Sequence, residues 1–173
     1  MKIVSMLSTV TMKEPFDLDE VLTKLPEAEP LLKWVKLKYS PNKNHFSIYE
    51  NGKILIYGTK SEDELINLAN DFILYLNKHG IYNEIKEIKV NNYVIITQLD
   101  FDINLESLFV NLLDYDVIYE PEQFPALKFK DKYGITYLLF GTGKITIVGV
   151  KSLDNLEEHF AEFKDLIREK SNI

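Results

Sequence analysis

One motif occurs twice in this chain. Around Gly52 it reads Phe46-Ser-Ile-Tyr-Glu-Asn-Gly-Lys-Ile-Leu-Ile-Tyr-Gly-Thr-Lys-Ser61, and 91 residues later it reads Tyr137-Leu-Leu-Phe-Gly-Thr-Gly-Lys-Ile-Thr-Ile-Val-Gly-Val-Lys-Ser152. Both stretches run strand, Asn-Gly or Thr-Gly turn, lysine, strand, glycine, Lys-Ser, then an amphipathic helix. A period this long means one folding unit present in duplicate. It predicts two copies, 1–86 and 87–173. A pseudo-symmetric protein suits a partner with approximate twofold symmetry, and duplex DNA is such a partner.

Local patterns fill in each copy. Residues 3–12 read as a strand, and Asp17 opens a short helix through Leu25, stopped by Pro26. Residues 34–39 set Trp34, Lys36 and Lys38 against Val35, Leu37 and Tyr39, the period of a half-exposed strand. A turn at 40–44 leads into strands at 45–50 and 53–57, joined by the Asn51-Gly52 hairpin. Ser61 with Glu64 makes a capping box for a helix burying Leu65, Leu68, Phe72 and Leu76. The second copy predicts a strand at 90–99, a helix at 104–113, strands at 127–130, 135–140 and 144–148, and a last helix capped by Ser152 and running to Arg168. With all long helices on one face of an antiparallel sheet, the other face is left open.

Composition excludes several classes. No apolar run of about 18 residues offers a membrane span, and the N-terminus enters a strand at once without a secretory signal. The chain has no cysteine, so no disulfide and no thiolate-held metal, which fits a reducing interior. His45, His79 and His159 have no metal spacing and no paired nucleophile, so neither an enzyme nor a cofactor is expected. The net charge of −7 opposes nucleic acid at face value. Its distribution is uneven: residues 1–86 carry 11 basic and 12 acidic side chains, and residues 87–173 carry 9 and 15. The acids cluster where helices start, while the expected strands carry lysines.

At Tyr119-Glu-Pro-Glu-Gln-Phe-Pro-Ala-Leu127 and Leu138-Leu-Phe-Gly-Thr-Gly-Lys144 the chain resembles the TATA-box-binding protein family. The resemblance covers nearly the whole chain, strong in the second copy and eroded in the first. It implies an α+β fold: a two-repeat saddle, with a curved antiparallel sheet and helices on the convex face. It also implies a general transcription initiation factor of archaeal type, seated in the minor groove of A/T-rich promoter DNA by its concave sheet and recruiting transcription factor B. A cytoplasmic, nucleoid-associated location follows.

The same resemblance assigns residues. Phe124 and Phe140 match the phenylalanines that wedge between base steps, and Asn92, Val94 and Ile96 match the groove floor. Leu138, Thr146 and Val148 share that face in the second copy; Leu7, Tyr49 and Leu55 are their counterparts in the first. Lys38, Lys53 and Lys60, with Lys128, Lys130, Lys144 and Lys151, fall at phosphate-contacting positions, and Lys36 joins Lys128 in replacing apolar floor residues. Glu120 and Glu122 match the acidic loop that binds factor B. The first copy departs from the pattern: Ser5 stands for the floor asparagine, Leu32 falls nearest the first wedge after a two-residue deletion, Tyr49 replaces the second, and Tyr57 adds bulk. That erosion supports a rival reading, a protein-interaction module that binds or titrates transcription factors without strong DNA bending.

Overall fold

The computed structural model describes residues 1–39 and 44–172. Most of the predicted turn at 40–44 lies outside the described residues. The chain divides into two compact units, an N-terminal one of Val4–Asn91 and a C-terminal one of Asn92 onward with Met1–Ile3.

The N-terminal unit runs β1 (Lys2–Met12), α1 (Leu18–Lys24), β2 (Glu29–Pro30), β3 (Trp34–Tyr39), β4 (Asn44–Tyr49), β5 (Lys53–Thr59), α2 (Glu62–Lys78) and the start of β6 (Ile85–Gln98). Its strands lie in the order β2-β3-β4-β5-β1-β6, and the pairs from β2 to β1 are antiparallel. Alternation decides which side each residue takes. Met6, Val10, Val35, Leu37, Phe46, Ile48, Ile54 and Ile56 are buried, as are Leu65, Leu68, Phe72 and Leu76 on α2. Phe46 meets Phe72 at 4.5 Å between ring centroids. Each such buried side chain contributes about 1.5–3 kcal/mol.

The C-terminal unit continues through β6, α3 (Leu105–Asn111), β7 (Asp116–Ile118), β8 (Leu127–Lys130), β9 (Thr136–Leu139), β10 (Lys144–Val150) and α4 (Leu156–Lys170). The strand order is β6-β10-β9-β8-β7, again antiparallel. Tyr137 and Phe163 stack in its core at 3.9 Å with 4° between ring planes. Burial pushes the Tyr137 phenol up, and the neighbouring Asp131 carboxylate, which accepts its O–H at 3.1 Å, adds to the effect.

Each unit carries one β-bulge at a glycine. The partner of β1 jumps from Tyr57 to Thr59 across Gly58, and β10 spends an extra residue between Ile147 and Val150, beside Gly149. Both glycines have positive φ, 91° and 79°, a region that costs a side chain about 1–2 kcal/mol. A Cβ on Gly149 would also meet the Gly134 carbonyl oxygen at 3.1 Å.

Two helix starts differ from the sequence expectation. The Ser61 hydroxyl caps α2 by accepting from the Glu64 N–H at 3.1 Å. Glu64 reaches back to the Lys60 N–H at 2.7 Å, one residue before the expected box partner. Ser152 caps nothing: its hydroxyl bonds Asp154, and α4 starts at Leu156 after a left-handed Asn155 with no side-chain cap. Lys151 therefore stands outside the helix it was expected to begin, because the chain makes a Ser-Asp turn first. The strand expected at 90–99 also starts earlier, at Ile85.

Candidate nucleic-acid interface

In both units the strand side chains that turn away from the buried core form an open face. Cross-strand register places them in rows. In the N-terminal unit one row runs Lys36, Ser47, Leu55 and Thr9, and the next runs Lys38, His45, Tyr57 and Leu7. In the C-terminal unit the corresponding rows run Lys128, Leu138, Thr146 and Ile96, then Lys130, Thr136 and Val148. Each of these four rows holds a lysine on β3 or β8, followed by side chains of mixed size; on the edge strands Glu29 stands opposite Lys36, Ile118 opposite Lys128 and Asp116 opposite Lys130. Val94 and Ile96 are half-buried between the fully covered Tyr93 and Ile95, the alternation of a strand with one open side.

Asn92 is half-buried, and its Oδ1 is buried without a hydrogen-bond partner among the described residues. An amide with an unpaired end is costly inside a protein and suited to a ligand edge. Its neighbour Asn91 is engaged, accepting from the Thr9 hydroxyl at 2.6 Å.

The aromatic ends of the two faces are built differently. Phe124 and Phe140 meet edge to face, with centroids 6.1 Å apart and planes at 64°. Both are half-buried, and the Lys128 ammonium lies 5.2 Å from the Phe124 ring centroid. Phe124 is delivered by the long loop 119–126, closed where the Gln123 and Phe124 N–H groups both donate to the Glu120 carbonyl at 2.9 Å. Glu120 and Glu122 are exposed on that loop. The equivalent loop of the N-terminal unit is only 31–33, and the Leu31 N–H closes it onto the Trp34 carbonyl. Leu32 at its tip is 97% exposed. Trp34 takes up the contact instead: it pairs across the strands with Tyr49, rings 6.0 Å apart and 23° from parallel. Counting along the repeat points to Leu32; only the strand register shows Trp34, although its alternation with Lys36 and Lys38 carried the signal.

The open-face lysines make no ion pair among the described residues, although Glu29 and Asp116 stand across the edge strands from Lys36 and Lys130. Among the described residues Lys36, Lys38, Lys53, Lys128, Lys130 and Lys144 have no ion-pair partner, and neither do Lys60 and Lys151 beside the helix entries. The lysines that are paired lie elsewhere. Lys164 holds the Asp100 carboxyl below the usual range by a hydrogen bond, Lys13 does the same to Glu84, and Lys132 to Glu162. Lys132 is in turn raised to about 12, chiefly by the hydrogen bond it donates to the Glu162 carboxylate.

No group of three His, Asp or Glu among the described residues could hold a metal. His79 packs on Tyr75 and His159 stacks on Tyr133 at 3.7 Å, so two of the three histidines are ring contacts. No described helix is long and apolar enough to cross a membrane.

Comparison with known proteins agrees with this geometry. The family model described as "Transcription factor TFIID (or TATA-binding protein, TBP)" matches residues 1–79 and 87–170. The TATA-box-binding protein of Methanocaldococcus jannaschii is 31% identical over 173 residues, covering 97% of this chain and 93% of that protein. That of Archaeoglobus fulgidus is 26% identical, covering 96% and 94%. A solved structure, Methanococcus jannaschii TBP, superposes with a TM-score of 0.85 at 30% identity, covering 97% of this chain and 98% of that one. The α+β architecture implied by the family resemblance is the one the chain adopts.

Proposed function

The chain belongs to the TATA-binding protein family, a family of transcription factors rather than enzymes, and from that premise we propose how it works as a DNA-binding transcription initiation factor. The open faces sit on the minor groove of A/T-rich promoter duplex, and the bound complex recruits transcription factor B. Residues 1–86 and 87–173 act as two copies of one DNA-contacting repeat, which the matched element order and matched rows support.

The carrying observation is the lysine that recurs in each of these rows, without an ion pair in either unit among the described residues. An acidic chain that keeps these particular cations out of ion pairs suits a polyanion as ligand. Lys38, Lys53, Lys60, Lys128, Lys130, Lys144 and Lys151 contact phosphates; Leu7, Leu55, Val94, Ile96, Leu138, Thr146 and Val148 line the groove. Asn92 rotates its amide so that a donor meets the A·T acceptors. Phe124 and Phe140 wedge into a base step, a disruption costing a few kcal/mol that the widened contact offsets. Glu120 and Glu122 face a basic surface of factor B.

The short loop 31–33 favours a second reading, a module that binds transcription factors without strong bending. Gel shifts on TATA-containing and random duplexes, with and without factor B, separate the two. Preferential binding of the TATA duplex, supershifted by factor B, is expected. Binding to factor B without any duplex shift at low salt would establish the second reading instead.

A further inference from the structure

We propose that Trp34 and Tyr49 form a second duplex contact, an aromatic plate with two hydrogen-bond donors, in place of the wedging phenylalanine pair of the other unit. This rests on the reading of the open face as a DNA surface. The two residues are direct cross-strand partners, both half-exposed, with rings 6.0 Å apart and nearly parallel at 23°. The loop before β3 spans only 31–33, so no residue is delivered onto Tyr49 as Phe124 is onto Phe140. In the C-terminal unit the position paired with Phe140 is the buried Ala126, next to Leu127 in the β8–β9 register. A large ring therefore stands where the other copy has a methyl group.

Chemistry identifies the occupant. Neither the Trp34 indole N–H nor the Tyr49 hydroxyl hydrogen-bonds to any described residue. Tyrosine and tryptophan usually find such a partner when they are covered. The minor-groove floor of an A·T pair offers acceptors only, whereas G·C adds a donor. Lys36 and Lys38 share the same face of β3 and supply the cations that a flanking phosphate requires. The nearby acids are the exposed Glu50, next to Tyr49, and Glu29, opposite Lys36 on β2, and neither forms an ion pair among the described residues. Two near-parallel rings present a broad surface and no free edge. They pack against sugars and base edges without parting a base step, so this unit reads A·T content without kinking.

Trp34 is the only tryptophan in the chain, which makes the intact protein its own reporter. Binding is followed by anisotropy of a labelled A/T-rich duplex, and coverage of Trp34 by acrylamide quenching of its emission. Quenching is expected to fall severalfold in the complex. Trp34→Phe keeps a ring but removes the donor; it should weaken the A/T-rich complex about two- to tenfold and leave a G·C-rich duplex unaffected. Trp34→Ala should cost about tenfold or more, with far-UV circular dichroism confirming that the variant is folded. A duplex that binds while Trp34 stays as quenchable as in the free protein, with Trp34→Phe unchanged, overturns the plate and leaves the DNA reading standing. If no duplex binds at low salt, the DNA reading and the plate fall together.

Discussion

Phe124 and Phe140 meet edge to face at 64°, whereas Trp34 and Tyr49 lie within 23° of parallel, at almost the same centroid separation. The strands beneath them pair in the same order and carry lysines at matching positions on β3 and β8. What separates the two units is the loop before the lysine strand, 31–33 against 119–126. A longer loop sends a separate ring down onto the face, and a shorter one forces the strand itself to supply the ring. Loop length thus changes the mode of contact while the phosphate-facing charge is left alone.

The sharpest way to break this contrast is to remove the rings. Phe124→Ala and Phe140→Ala should each weaken duplex binding by about 2 kcal/mol, roughly thirtyfold, and reduce the bend angle. Tyr49→Ala should cost about 1 kcal/mol with little change in bend. Fluorescence-measured bending compares them, and an equal loss of bend from Tyr49→Ala would end the asymmetry.

The exposed acids give the next largest difference. Only the longer loop carries Glu120 and Glu122. Converting both to lysine should slow factor B recruitment on the order of tenfold at low salt, since charge complementarity acts mainly on association rate. The binary DNA complex should be unchanged or slightly tighter. Ternary-complex kinetics on a fixed duplex measure the effect, and a variant that recruits as fast as the parent would remove the loop from that role.

Helix entry offers a stability counterpart. Ser61 caps α2 and Ser152 caps nothing, though both sit in the same Lys-Ser repeat. Ser61→Ala should destabilise by about 1 kcal/mol in urea unfolding. Ser152→Ala should stay within about 0.5 kcal/mol, as for a surface change away from any cap.

The smallest expected effect tests the shared feature. Lys53→Ala and Lys144→Ala should each flatten the log-log salt dependence of binding by roughly one unit. Equal slopes would mean that the two units neutralise phosphate alike; a change from Lys144 alone would confine the backbone grip to the C-terminal unit.

Much of this was legible from residue order. Alternation in 34–39, the Asn51-Gly52 turn and the spacing of Leu65, Leu68, Phe72 and Leu76 each reflect a local rule, and β3, the hairpin and α2 follow. The edge strands β2 and β7, of two and three residues, were not legible because so short a span has no period. Ser152 misled because a cap depends on the backbone that follows, and Asp154 captured its hydroxyl first. Trp34 was hidden because aligning the copies by count fixes on Leu32, whereas the partner of Tyr49 is chosen by hydrogen bonds between strands. The lysine rows were visible as recurrences, and their lack of ion pairs among the described residues only in three dimensions.

The paired glycine bulges have an evolutionary consequence. Strand register is held by the extra residue at Gly58 and Gly149 and by the buried side of each strand. A strand that slipped by one would expose its core side chains. The open side therefore takes little part in setting the register. Its residues are free to drift in one copy while the other is kept, at only a small cost in folding. A duplicated protein built this way can rewrite half of its binding surface one side chain at a time.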